Sequence, residues 1–249
     1  MFKNALAVVL SYALFTGCKS HTDPQPTQIN TEKTDVGTVG DSVAKQDIAT
    51  TAASGSKDAS QISVSRASVP PATLITQKGV PLKLVGAPLA IGDSLPELNL
   101  TDAQTGEVFN TRSLVGKVVL ISAVPAVNTP VCSAQSQALE NSGDTLPPDI
   151  VRVTLSRDPI LSLADFAQNQ GNSHVLYLSD HEKGVFGMAT GLGVDGADII
   201  ARAVIVMDRS GVVRHLQVVP EITQLPDMAR AFQVARDLNT VSTFADGPI

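Results

Sequence analysis

A cysteine, Cys132, stands at the end of Pro125-Ala126-Val127-Asn128-Thr129-Pro130-Val131-Cys132, directly behind the apolar run Val118-Val119-Leu120-Ile121-Ser122-Ala123-Val124. The apolar run has the length and β-branched content of a buried strand. Thr129-Pro130 then reads as a helix start, with threonine at the N-cap and proline at the first helical position. Cys132 falls at the third helical position, where its sulfur lies near backbone N–H groups that have no partner within the helix. These donors and the positive helix end favour thiolate over thiol, but the dipole is worth about 0.3–2 kcal/mol, at most ~1.5 pH units in a thiol's ionisation. A second positive charge must help before thiolate dominates at neutral pH, and the chemistry is then that of a nucleophile. Taken alone, the position also suits a small apolar residue, since free cysteines are among the most buried residue types.

The spacing Pro-x-x-x-Thr-x-x-Cys behind an apolar strand resembles the active-site signature of peroxiredoxins, and closely that of their thiol peroxidase subfamily. The resemblance runs from about Leu74 to Asn239. Gly79-Val80-Pro81-Leu82 with Gly92-Asp93-Ser94-Leu95-Pro96 is similar to the subfamily's amino-terminal hairpin and strand. Ala201-Arg202-Ala203-Val204-Ile205-Val206-Met207-Asp208, followed by Pro220-Glu221-Ile222-Thr223, is similar to a later strand. The resemblance implies that Arg202 points at the sulfur and supplies the missing charge, that Pro125 covers the sulfur, and that Thr129 orients peroxide through its hydroxyl. Without it, Arg202 is an arginine opening an apolar strand and suits a surface salt bridge, and helix capping accounts for Thr129. The implied activity is reduction of hydrogen peroxide or organic hydroperoxides by the Cys132 thiolate, with no cofactor or metal. Sulfenic acid forms at Cys132 and must be reduced by another thiol.

The chain departs from its relatives at the second cysteine. Typical thiol peroxidases carry a resolving cysteine on the helix after the position of Ser156-Arg157-Asp158-Pro159, where this chain has Phe166-Ala167-Gln168. Asn128 and Pro130 stand where many relatives have Asp and Gly. The chain holds 2 cysteines, and the other is Cys18. The expectation is a one-cysteine cycle closed by an external reductant, either a thioredoxin-like protein or a small thiol. A noncatalytic or peroxide-sensing protein on the same scaffold is the alternative. Retention of Pro125, Thr129, Cys132 and Arg202 speaks for the enzyme. The resemblance also implies a homodimer.

Cys18 belongs to a different pattern. Lys3, the apolar stretch from Ala5 to Phe15, and then Thr16-Gly17-Cys18 read as a signal peptide over 1–17. The stretch is too short for a transmembrane helix, which needs about 20 residues. Small residues before a cysteine resemble a bacterial lipobox, with Phe15 in place of the usual leucine, so Cys18 is expected to be lipidated. The alternative is an ordinary secretory signal that leaves Cys18 free. The expected location is therefore outside the cytosol, on the periplasmic side or cell envelope, with the membrane as partner through the lipid. Residues 18–70 are rich in small and polar residues, lack aromatics and show no apolar periodicity, so they read as a tether with a root-mean-square span of about 40 Å.

Residues 71–249 suit one domain. Apolar runs at 98–100, 118–124, 150–155, 175–178, 202–207 and 212–219 alternate with helical stretches around 131–141, 159–170, 181–190 and 225–238. That order resembles a thioredoxin-like α/β fold of peroxiredoxin type, a central mixed β-sheet flanked by helices on both faces. Asp208-Arg209-Ser210-Gly211 reads as the hairpin turn between the closing strands. A net charge of −6 with scattered basic residues argues against nucleic acid as a partner. No glycine loop of Walker or Rossmann spacing is present, because Gly191-Leu192-Gly193 lacks the third glycine and the preceding strand. His21, His174, His181 and His215 lack metal-ligand spacing and read as surface or turn residues. Glu221 and Asp180 read as solvated charges without a chemical role.

Overall fold

The computed structural model describes residues 62–171 and 174–243. The candidate signal, Cys18, His21 and the tether up to residue 61 lie outside the described residues. Among the described residues the chain order is β1 (Leu74–Gln77), β2 (Val80–Val85), β3 (Asn99–Asp102), β4 (Val108–Asn110), β5 (Val119–Ala123), α1 (Pro130–Glu140), β6 (Val151–Ser156), α2 (Ile160–Asn169), β7 (Val175–Ser179), α3 (Val185–Thr190), β8 (Gly193–Val194), β9 (Ala203–Met207), β10 (Val213–Val218) and α4 (Met228–Thr243).

Strand β5 is buried at every position, as a central strand with both faces covered must be. It pairs in parallel with β6 and antiparallel with β9, and the sheet runs β10-β9-β5-β6-β7-β3-β4. The period of two in the strands sorts the core into two halves. Leu120, Val124, Tyr177, Val204 and Val206 meet α1, α2 and α4 on one face. Val119, Ile121, Ala123, Ile205 and Met207 meet Phe186 of α3 and the small sheet β1-β2-β8 on the other. The mixed sheet is thus the expected one, but three helices share one face. A small sheet does much of the covering on the other.

Local chemistry accounts for the boundaries. The Asp208–Gly211 turn closes as expected. Asp208 Oδ1 accepts the N–H groups of Ser210 and Val212 at 2.9 and 3.1 Å, and Gly211 takes φ 79°. Helix α3 starts later than the reading from 181, because Gly184 turns left-handed at φ 60°. The segment ahead of β1 is hydrogen-bonded into the domain before residue 71: Ser65 N–H donates to Leu225 C=O at 2.7 Å and Gln217 Nε2 donates to Ser65 C=O at 2.8 Å. Polar composition hides such a segment, since its contacts are main-chain hydrogen bonds.

Three charged or titratable residues depart from the reading as solvated or surface groups. Asp180 is 3% exposed and accepts N–H groups of Phe186 and Gly187, each at 3.0 Å, at the start of α3. Burial pushes its pKa up, opposed by those amides and by the Arg157 cation. His215 lies within β10, half-buried, and burial first, then repulsion from Arg230, lowers its pKa. Glu221 accepts N–H from Lys78 at 3.0 Å and Gly79 at 3.2 Å, and hydroxyl hydrogens from Thr76 at 2.8 Å and Thr223 at 2.6 Å. It therefore clamps the β1–β2 turn, where Lys78 and Gly79 both adopt positive φ, 51° and 80°.

Burial is the largest single influence on Glu221 and raises its pKa, but the four hydrogen bonds together outweigh it and hold the pKa down at about 2, against an ordinary 4.5. A depressed carboxylate pKa contributes stability above about 4.5 that is lost as pH falls toward about 2. Glu221→Gln is therefore less stable than the parent at pH 7, with a gap that narrows below pH ~4.5. Denaturant midpoints across that range check this, and a gap independent of pH rejects it.

Candidate active site

The β5–α1 connection delivers Cys132 as its local chemistry dictates. Thr129 is the N-cap, with extended backbone at φ −120° and ψ 148°, and its Oγ1 accepts the Cys132 N–H at 3.4 Å. Pro130 occupies the first helical position. The Thr129 hydroxyl donates to Ala126 C=O at 3.2 Å, so capping and turn closure use the same group. Thr129 faces solvent, whereas Pro125 is buried just past the end of β5. Cys132 is 1% exposed.

Strand register brings Arg202 to the sulfur. Ala123 at the end of β5 is opposite Ala203 at the start of β9, so Val124-Pro125 and Arg202 emerge at the carboxyl end of β5. Arg202 shares its strand phase with Val204 and Val206, which face the α1 side. Its Nη2 donates to Cys132 Sγ at 3.3 Å, Nη1 to Gln135 Oε1 at 2.7 Å and Nε to Ile222 C=O at 2.7 Å. Three of its five N–H donors are so used. Arg202 is 2% exposed, and no carboxylate pairs with it among the described residues.

Gln135 is the residue that sequence reasoning missed. With Cys132, Ser136 and Leu139 it forms the buried stripe of α1, at the i, i+3, i+4, i+7 positions of one helix face. Its Oε1 takes the Arg202 hydrogen bond while its Nε2 donates to Ser122 Oγ at 2.8 Å. The signal was available: a glutamine one turn beyond a cysteine, within a stripe that has to be buried. Ile222 leaves no such trace, because it contributes a main-chain oxygen. Pro125, Thr129, Cys132 and Arg202 thus all lie at the carboxyl end of β5, whereas Cys18 lies outside the described residues. No group of three or more His, Cys, Asp or Glu side chains suited to a metal occurs among the described residues.

A sheet flanked by helices, with a cysteine on the first turn of a helix behind the central strand and a buried arginine at its sulfur, defines a thioredoxin-like protein with a thiol site. Residues 90–232 match the Redoxin family model. The thiol peroxidase of Bacillus subtilis (strain 168) is 32% identical over 164 residues, covering 66% of this chain and 97% of that protein. That of Halalkalibacterium halodurans is 33% identical, covering 65% and 96%. Among solved structures, a peroxiredoxin-like protein from Aquifex aeolicus aligns with a TM-score of 0.61 at 27% identity, over 68% of this chain and 98% of its own. A thiol peroxidase from Chromobacterium violaceum shares the fold with a TM-score of 0.58 at 18% identity, covering 66% of this chain and 96% of its own. The chain belongs to the Redoxin family and is an enzyme of its peroxiredoxin, thiol peroxidase branch.

Gln135→Leu keeps most of the volume but leaves the Arg202 Nη1 N–H and the Ser122 hydroxyl without their partner. The expected loss is on the order of 2–4 kcal/mol, because a charged donor and a hydroxyl acceptor are both left buried without their partner. Equilibrium denaturation measures it, and an unchanged midpoint removes Gln135 from the network.

Proposed function

We propose that Cys132 is the peroxidatic cysteine of a one-cysteine thiol peroxidase that reduces hydrogen peroxide and organic hydroperoxides at the expense of an external thiol. The observation that carries this reading is the buried Arg202 guanidinium with Nη2 at 3.3 Å from Cys132 Sγ. A guanidinium buried without a carboxylate is costly by several kcal/mol, and a Cys132 thiolate is the anion that offsets it. The relatives named thiol peroxidase support the reaction type.

In the first step the thiolate attacks the terminal oxygen of ROOH. The S–O bond forms as the O–O bond breaks, sulfur is oxidised by two electrons, and the departing oxygen takes a proton and leaves as ROH. The Arg202 guanidinium would meet the charge growing on that oxygen, which is the logic of an oxyanion hole. Thr129, exposed at the mouth, would orient the peroxide through its hydroxyl, and Pro125 would shield the sulfur from one side. An external thiol then attacks the sulfenic sulfur, releasing water and leaving a mixed disulfide. A second thiol frees Cys132 as the external disulfide forms.

The one-cysteine cycle is supported by the contents of α2. Phe166 and Ala167 stand where the resemblance would put a resolving cysteine, and both are buried in the core. With Cys18 as the second cysteine of the chain, and that residue assigned to a lipid, no internal partner is left for the sulfenate. The lipobox-like Thr16-Gly17-Cys18 further supports a membrane-anchored protein on the periplasmic side or cell envelope.

Cys132→Ser is expected to abolish peroxide consumption while leaving the circular dichroism spectrum unchanged. Retained turnover in a coupled peroxide assay rules Cys132 out as the reacting atom. Cys18→Ala is expected to move the protein from the membrane to the soluble fraction, and persistent detergent-phase partitioning refutes the anchor.

A further inference from the structure

We propose that Asp158 is a positioning residue for Cys132, its carboxylate holding the β5–α1 turn in the conformation that keeps the sulfur beside Arg202. The inference rests on the reading of Cys132 as the atom that reacts with peroxide. Asp158 lies on the β6–α2 connection, yet its Oδ2 accepts the Val127 N–H at 2.9 Å, across 31 residues of sequence. Val127 is buried, so this amide has no water to fall back on, and a carboxylate acceptor makes the bond charge-assisted.

The turn is otherwise tied mainly to itself. Sheet pairing ends where Val124 N–H donates to Leu155 C=O at 2.9 Å, Pro125 has no N–H, and the Thr129 hydroxyl bonds locally, to Ala126 C=O and the Cys132 N–H. Asp158 is fixed from both sides. Its own N–H donates to Ser156 Oγ at 3.2 Å, and its C=O accepts the Ser179 hydroxyl at 2.7 Å. The ends of β6 and β7 thus hold the Asp158 backbone in place. Asp158 also immediately precedes Pro159, the N-cap of α2, which has no side-chain capping hydrogen bond. An aspartate beside a helix start is favoured there by the helix dipole. Here its carboxylate serves the cysteine turn instead.

A turn that relaxes away from this tie moves the start of α1, and with it a sulfur that needs the Arg202 contact at reaction distance. A displacement of about 1 Å is enough to cost an enzyme on the order of a hundredfold. Alkylation by a small reagent needs only an accessible thiolate, whereas attack on peroxide also needs the oxygen aligned with the Arg202 donors. A residue that positions the turn therefore affects the two reactions differently.

The test uses the full-length chain, with substoichiometric hydrogen peroxide and a sulfenate trap read by intact mass, beside iodoacetamide alkylation of the same samples. Asp158→Ala is expected to slow peroxide oxidation about tenfold or more, ~1.4 kcal/mol, and to slow alkylation by less. Asp158→Asn, which keeps an acceptor oxygen at the same reach, is expected to recover to within about threefold of the parent rate. Parent-like oxidation in Asp158→Ala, equal slowing of both reactions, or no rescue by Asn overturns the proposal. Hydrogen exchange in the parent protein gives a readout independent of any variant: the Val127 amide is expected to exchange as slowly as those of β5, and fast exchange also overturns it. If instead the parent is oxidised no faster than an ordinary free thiol, the peroxidase reading itself fails, which is a distinct result.

Discussion

The rest of the site depends on one buried charge. Arg202 is enclosed near the carboxyl end of β5 with a main-chain carbonyl, an amide oxygen and a sulfur around it, and with no carboxylate in contact among the described residues. Neutral acceptors satisfy its hydrogen bonds without cancelling its charge, so the remaining electrostatic demand falls on Cys132. An aspartate or glutamate in place of Gln135 would answer that demand and take the positive charge away from the sulfur. An amide at that position fixes the guanidinium while leaving its charge unspent.

Holding a cation in this way requires rigid surroundings, and the architecture supplies them. Helix α1 contributes both Cys132 and Gln135 from one stripe, so sulfur and amide cannot move independently. Gln135 is in turn fixed to Ser122 on β5, and Arg202 to Ile222 beyond β10. The two central strands, the first turn of α1 and the segment after the closing hairpin therefore meet at one guanidinium. The segment after the hairpin is itself pinned by Glu221, whose carboxylate clamps the β1–β2 turn. The amino-terminal hairpin, remote in function, thus helps to fix the carbonyl that Arg202 uses.

The α2 side shows what this chain has lost relative to the pattern that it resembles. Ala167 sits in the core beside Phe166, which meets Tyr177 of β7 edge-on, the rings 6.2 Å apart at 72°. A helix whose buried face is built from Phe, Ala and Leu supports packing of the sheet. It offers no thiol to the turn that carries Cys132. The two connections that leave the carboxyl ends of β5 and β6 are linked instead by the Val127–Asp158 hydrogen bond.

Much was legible in the sequence because the physics involved is local. A β-branched run buried on both faces specifies β5, Thr129-Pro130 specifies where α1 begins, and Asp208-Arg209-Ser210-Gly211 closes a hairpin through bonds that span at most four residues. These fix the helix position of Cys132 without reference to anything distant, and the motif spacing carried Arg202 by resemblance. What the sequence did not disclose are the partnerships across the fold. Glu221 read as an ordinary charge because its amide partners, Lys78 and Gly79, lie 143 and 142 residues away. Gln135 became a partner of Arg202, 67 residues away, through the antiparallel register of β5 and β9, which no propensity encodes. Local preferences determine which elements form and where a side chain points along them. Which distant side chain it meets is decided when burial of both sheet faces selects one register, and that selection belongs to the tertiary structure.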